Sequence, residues 1–177
     1  MNPEFRKKID TLKTGLDMLR PLRPEHVAAL KNYFKIGLTY TSNALEGNSL
    51  TETETKVVIE DGITVGGKPL KDHLEAVGHA EGFDFMLSLA DGGTLTERHI
   101  LQLHHLFYRR IDGDQAGRYR ALRVFITGSR YVPPSAAQVP ARMRTFCRAI
   151  PSRRKNMHPV DFGAWLHFQI AEIHPFV

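Results

Sequence analysis

The chain has 177 residues, of which 42% are hydrophobic, and a formal net charge of +5 at pH 7. That size and composition suit one globular domain with a core of its own. The single cysteine, Cys147, excludes an internal disulfide and favours a reducing compartment. No apolar run reaches the roughly 20 residues of a membrane-spanning helix, and the N-terminus lacks a signal-type apolar core. We therefore expect a cytoplasmic protein that does not enter membranes.

The positive charge favours anionic partners, which include nucleotides and nucleic acids. The basic residues are scattered, apart from the run at 153–155 and three arginines between 142 and 148. Such short runs are usually solvated faces, so we do not favour nucleic acid as the partner. The nine histidines lack the ligand spacing of a zinc site, and we expect no metal site among these residues.

Apolar residues at helical spacing predict most of the secondary structure. Helices are expected over residues 4–20, 24–45, 51–59, 70–90, 96–107, 135–150 and 160–173. The stretch Thr51 to Glu54 has the pattern of a capping box, and Pro24 and Pro159 fit the first turns of their helices. The residues Asp91, Gly92 and Gly93 are expected to close the fourth helix. The pattern predicts a mainly α fold.

One segment has a different period. Residues 122–127 alternate as in a β-strand, and a turn follows them. We expect a small β-hairpin here, and its tip comprises Gly128, Ser129, Arg130, Tyr131 and Val132. The preceding loop carries Gly-Arg-Tyr-Arg at 117–120 and leads into the hairpin, so we interpret that loop as structural.

Two short motifs indicate a function. The last predicted helix is followed by His174, Pro175 and Phe176, and far upstream Ser42 is followed after three residues by Glu46 and Gly47. A histidine at a helix end is usually a structural feature, although an imidazole fixed there can also act as a general base. The two motifs, in this order, resemble those of the Fic (filamentation induced by cAMP) family. Most members of that family transfer AMP from ATP to a hydroxyl group of a protein.

The resemblance implies a helical bundle with one β-hairpin, called the flap, and a role for each motif. His174 would take the proton of a target Ser, Thr or Tyr hydroxyl as it attacks ATP, with Pro175 and Phe176 supporting the loop. Glu46 would inhibit by pairing with the motif arginine that otherwise holds the γ-phosphate, while Ser42 braces the helix and Gly47 completes the motif. The flap, Gly128 to Val132, would align the target by adding a strand to its edge.

The resemblance also implies ATP and Mg²⁺, and it leaves room for a homodimer. The acidic Mg²⁺ ligand, the Gly-Asn-Gly phosphate nest and the arginine of the family motif would all follow Val177. We therefore expect the sequence to be part of a longer enzyme, with residues 1–40 as an N-terminal helical segment and 41–177 as the Fic domain. Two alternatives stay open: an enzyme that removes AMP, and a non-catalytic helical module that binds protein or nucleic acid.

Overall fold

The structure is a computed structural model that describes residues 1–90, 93–126 and 128–177. The chain divides into two compact units, Met1–Phe34 and Lys35–Val177. Seven α-helices occur in the described residues, so the prediction of a mainly α fold is confirmed. They are α1 (Pro3–Met18), α2 (Pro24–Leu45), α3 (Glu52–Glu60), α4 (Leu70–Ser88), α5 (Glu97–Tyr108), α6 (Val139–Asn156) and α7 (Pro159–Ile173).

Local signals set several helix starts. The Thr51 side chain accepts a hydrogen bond from the Glu54 N–H at 3.2 Å, and the Glu54 carboxylate accepts one from the Thr51 N–H at 2.8 Å. This is the predicted capping box, which satisfies two otherwise free N–H groups at the start of α3. Pro24 and Pro159 are the first residues of their helices. Helix α4 ends at Ser88, and the predicted closing residues Asp91 and Gly92 lie outside the described residues.

The core of the second unit lies between α5, α6 and α7. Val139, Met143, Phe146 and Ile150 line one face of α6 and are buried against neighbouring apolar side chains. The ring of Trp165 on α7 lies 5.3 Å from that of Phe146. This core fixes the direction of α7, and the C-terminus of α7 carries His174.

A second contact brings α4 against α5 at a glycine. A Cβ built on Gly78 would clash with the carbonyl oxygen of Phe107 and lie 2.9 Å from its Cα. The two backbones therefore approach so closely that α4 has no room for a side chain at position 78. Through this contact α4 supports α5, which carries His104 and His105. The ring of His104 packs against Phe176.

The predicted β-hairpin is not seen in the described residues. Residues 121–126 and 128–134 have no strand pairing, and Thr127 lies outside the description. On either side of it, Ser129 N–H donates to Ile126 O at 3.0 Å, and Gly128 has a φ of +77°. Alternation alone does not stabilise a two-stranded ribbon, because an isolated hairpin is marginal in water and Pro133 and Pro134 donate no N–H.

Candidate active site

The C-terminal end of α7 places His174 in an uncommon backbone conformation. Its φ is 47° and its ψ is 62°, in the left-handed region, and its N–H donates to Ile170 O at 2.8 Å. A non-glycine residue there carries a cost of about 1–3 kcal/mol, which other contacts must offset. Within the described part of the chain the partly buried imidazole makes no hydrogen bond. The ring is therefore free to accept a proton from a bound group.

Arg120 supplies contacts that offset this cost, and its side chain is only 2% exposed. Its Nε donates to His174 O at 2.7 Å, and its main-chain N–H donates to Pro175 O at 2.9 Å. The two terminal nitrogens of the guanidinium donate to Leu122 O at 2.9 Å and to Pro134 O at 2.6 Å. Sequence analysis missed this residue; in the same Gly-Arg-Tyr-Arg stretch Arg118 is exposed.

Phe176 is held by two aromatic rings. It stacks on His104 with ring centroids 3.9 Å apart and planes inclined by 10°, and Tyr119 lies 5.9 Å away. His104 in turn stacks on Tyr108 at 5.2 Å, and its Nδ1 accepts a hydrogen bond from Gly117 N–H at 3.0 Å. Burial, and then the neighbouring His105, lowers the pKa of His104 to about 4. His104 is thus neutral near pH 7 and able to accept this bond.

One residue of each sequence motif lines the same cavity, whereas His174 and Glu46 are not among its lining residues. Ser42 of α2 and Phe176 after α7 both border an open cavity of about 640 Å³ in the second unit. The rest of its lining is mainly apolar, with Ile100, Leu103, Phe146 and Ile170 among its residues. The structure thus brings together segments that are more than 130 residues apart in the sequence.

Glu46 and Gly47 lie just beyond the end of α2 and are exposed. Gly47 has a φ of +91°, which favours glycine at this turn, and its N–H donates to Ala44 O at 3.1 Å. Among the described residues the Glu46 carboxylate has no hydrogen-bond or ion-pair partner. It is therefore available to a cation.

The end of α2 is anchored to α4 by residues that sequence reasoning did not single out as functional. The Asn48 amide donates to Asp72 O at 3.0 Å and to the Glu75 carboxylate at 2.9 Å. The N–H and hydroxyl of Ser49 donate to the Asp72 carboxylate at 2.8 and 2.6 Å. Burial opposes ionisation of Asp72, but the hydrogen bonds from Ser49 hold its pKa below the usual value. These contacts fix the turn that carries Glu46.

The flap residues lie in an extended loop, and one contact links them to α7. Tyr131 donates its hydroxyl hydrogen to Glu172 O at 2.9 Å, two residues before His174, and its N–H donates to Ser129 Oγ at 3.1 Å. Arg130 and Val132 are exposed. The predicted hairpin tip is thus beside the end of α7, although it is not part of a hairpin.

The described residues do not provide a magnesium site. No group of three or more His, Cys, Asp or Glu side chains in them could hold a metal ion. The cavity lining is apolar, with Ser42 and three histidines as its polar members, and these residues do not form a cradle for phosphates. None of the described helices has the length and apolarity needed to cross a membrane.

Other histidines and the cysteine have structural partners. Both ring nitrogens of His73 are bonded, to Pro69 O and to Val65 N–H, each at 2.8 Å. The Nδ1 of His79 lies 2.9 Å from Thr39 Oγ1. Cys147 packs against the core, where burial and the charge of Glu97 raise its pKa to about 11, so the thiol is a poor nucleophile.

Comparison with known proteins agrees with this geometry. The family model of the Fic/DOC family matches residues 94–177, which include α5, the flap residues 128–132 and the His-Pro-Phe stretch. Residues 94–177 belong to the Fic/DOC family. The protein adenylyltransferase Fic of Nematostella vectensis is 31% identical over 140 residues, which are 77% of this chain and 32% of that protein. That of Drosophila ananassae is 29% identical over 178 residues, 97% of this chain and 35% of the relative.

Solved structures support the Fic fold. A Fic domain containing signalling protein from Bacteroides thetaiotaomicron is 30% identical and has a TM-score of 0.84. The match covers 95% of this chain and 65% of that protein's chain. Fic-1 from C. elegans has a TM-score of 0.80 at 21% identity, and the match covers 97% of this chain and 52% of that one. The chain spans about a third of the length of the curated relatives that it matches.

Proposed function

We propose that the chain carries the general base, the target-binding loop and an inhibitory motif of a protein adenylyltransferase. The observation that carries this is the conformation of His174, whose main chain is bonded by Arg120 while its imidazole stays free. The names of the relatives support adenylyl transfer. ATP would be the donor and a protein hydroxyl the acceptor.

In the proposed reaction, His174 removes the proton of the acceptor hydroxyl. The hydroxyl oxygen forms a bond to the α-phosphorus of ATP, and the bond from that phosphorus to the bridging oxygen breaks. Pyrophosphate leaves with both electrons of that bond, AMP stays on the protein, and the proton on the imidazole passes to solvent. General-base assistance of this kind contributes about 10²–10⁴-fold to a rate. The described residues do not include a set of ligands for Mg²⁺.

The flap and the motif around Glu46 would control access. The N–H groups of Arg130 and Val132 have no hydrogen bond within the described residues, and the loop from 128 to 132 would align an extended target segment by strand addition. Glu46 would occupy an arginine that otherwise binds the γ-phosphate, because a carboxylate pairs well with a guanidinium. We also propose that the protein is cytoplasmic and that it can pair with a second copy of itself as a homodimer.

An assay of label transfer tests this proposal. The natural full-length protein is incubated with ATP labelled on either the α- or the γ-phosphate and with proteins of its own cells as acceptors. We expect the α label to be transferred to protein and the γ label not to be. The variant His174→Ala should lose about 10²–10⁴-fold in rate, whereas His26→Ala, which removes an exposed histidine of α2, should not. Transfer of the γ label, or of neither label by both the parent and Glu46→Gly, would contradict adenylyl transfer.

The inhibitory part is tested separately. Glu46→Gly should raise the rate of AMP transfer, and Glu46→Gln should do so in part, since it removes the charge and keeps the size. Glu52→Gln removes an exposed carboxylate at the start of α3 and is the matched control. Equal rates for parent and Glu46→Gly would refute inhibition by Glu46 while leaving the transferase proposal intact.

A further inference from the structure

Arg120 joins three segments of main chain that come together only in the folded protein. The first is the start of the flap loop (residues 122–134), bonded at Leu122 O, and the second is its end, bonded at Pro134 O. The third is the end of α7, bonded at His174 O. One planar guanidinium therefore holds both ends of the flap loop and the candidate base together.

The charge of Arg120 needs an explanation beyond packing. No carboxylate pairs with the guanidinium in the described residues, and burial lowers its pKa. Burying an unpaired cation is costly, and an apolar side chain of similar volume would fill the space without that cost. What an apolar residue lacks is the set of donors in a rigid fork that reach three carbonyl oxygens at once.

The conformation of His174 depends on those donors. Its carbonyl oxygen receives the Arg120 Nε–H, and the next carbonyl, of Pro175, receives the Arg120 main-chain N–H. The first bond holds the peptide group that follows His174, whose orientation corresponds to the ψ angle of 62°, and the second holds the next peptide group. That backbone conformation limits the directions in which the imidazole can point.

We propose that Arg120 is a positioning residue that sets the backbone of His174 and couples it to both ends of the flap loop. A target segment bound at the flap loop then acts on the same guanidinium that orients the base. The loop and the base form one mechanical unit, so target binding and base alignment change together. The catalytic part of this inference rests on the proposed transferase function, whereas the coupling itself is a property of the fold.

The test compares two arginines of one loop in the natural full-length protein. Arg120→Lys keeps a positive charge but its single ammonium cannot reproduce the three-carbonyl fork. Arg120→Met keeps the volume and removes every side-chain donor. Arg118→Lys and Arg118→Met alter the exposed neighbour and are the matched controls. Should Arg120→Met fail to fold, Arg120→Lys decides the matter alone.

Hydrogen exchange provides a readout that does not need activity. In Arg120→Lys we expect main-chain amides in the flap loop and in residues 170–177 to exchange about tenfold faster, the scale of one lost hydrogen bond. Amides of α4 and α5 should keep their rates. Faster exchange throughout the chain would mean a general structural role and would overturn the coupling, as would unchanged exchange in either of the two segments.

Steady-state kinetics provide the second readout. A base displaced by about 1 Å can cost about 10²-fold in rate, so we expect kcat of Arg120→Lys to fall on that scale while KM for ATP changes far less. If the parent transfers AMP and Arg120→Lys has the same kcat, the positioning role is overturned. If the parent transfers no AMP but the exchange result holds, the transferase proposal fails and the coupling stands.

Discussion

The ring of Phe176 lies face to face with the imidazole of His104, with centroids 3.9 Å apart and planes within 10° of parallel. The same imidazole accepts the Gly117 N–H through Nδ1 at 3.0 Å. One side chain of α5 thus supports the loop after His174 and the loop that carries Arg120. Substitutions of His104 can remove the stack or the hydrogen bond one at a time, so the contribution of each to stability can be measured.

Two variants of His104 should lower stability for different reasons. His104→Phe keeps an aromatic ring against Phe176 but leaves the Gly117 N–H without its acceptor, which we expect to cost about 1–3 kcal/mol. His104→Asn keeps an acceptor but loses the aromatic stack, worth about 0.5–1.5 kcal/mol beyond the burial of the ring. Denaturant unfolding of both variants checks this. If both have the stability of the parent, neither contact contributes.

His104 should also make stability depend on pH. Its pKa in the folded chain is about 4, below the ordinary value of 6.5. Between these values the unfolded chain binds a proton that the folded chain does not, so the free energy of unfolding falls as the pH falls from 6.5 towards 4. Because the ring is only partly buried, we expect a loss below about 1 kcal/mol per pH unit from this residue.

Unfolding measured at about pH 7 and about pH 4.5 checks this direction. His104→Phe should reduce the difference between the two values relative to the parent. An equal pH dependence in His104→Phe and parent would assign the effect to other groups, among which His79 also has its pKa lowered by burial.

The link between the flap loop and α7 should affect local motion more than stability. Tyr131→Phe removes the hydroxyl that donates to Glu172 O at 2.9 Å in an exposed setting. A single exposed hydrogen bond contributes about 1 kcal/mol or less, so global unfolding should change little. Amides of residues 128–132 should exchange faster. Tyr108→Phe, which removes a hydroxyl without a hydrogen bond in the described residues, is the control and should leave the flap loop unchanged.

The anchor behind Glu46 gives a prediction about inhibition. Asp72→Asn leaves the Ser49 N–H and hydroxyl with a weaker, neutral acceptor, since hydrogen bonds to a charged group are about twice as strong as neutral ones. The turn that holds Glu46 should loosen, and AMP transfer should rise by less than in Glu46→Gly. Glu52→Gln, at an exposed carboxylate of α3 that has no hydrogen bond or ion pair within the described residues, is the control. If Asp72→Asn transfers AMP at the rate of the parent, the contacts of Asp72 with Ser49 do not contribute to inhibition.

Sequence reasoning located the helices and both motifs because their signals are local. The capping box at Thr51 and the break after His174 need only neighbours a few residues away. It missed Arg120 and His104 because their partners are distant: His174 O is 54 residues from Arg120. The predicted hairpin is not seen in the described residues, since alternation at 122–127 gives no information about whether a partner strand is present.

Two glycines of α4 should respond to alanine in opposite directions. At Gly78 the new methyl group would clash with the carbonyl oxygen of Phe107, which lies on the backbone of α5 and cannot move alone. Overpacking of this kind costs about 1–3 kcal/mol, and α5 would have to shift with His104. At Gly82 the nearest atom is Leu103 Cδ2 at 3.9 Å, an ordinary contact. Alanine there should stabilise the helix by up to about 1 kcal/mol.

Thermal or denaturant unfolding of Gly78→Ala and Gly82→Ala measures the two effects in one helix. Because both substitutions add the same methyl group, their difference isolates the close approach of α4 to α5. The Gly78→Ala variant should also weaken the stack on Phe176, because His104 lies three residues before Phe107 on α5. Hydrogen exchange should then rise in residues 170–177 of Gly78→Ala and stay unchanged in Gly82→Ala. Equal stability of the two variants would show that α4 and α5 do not meet at Gly78.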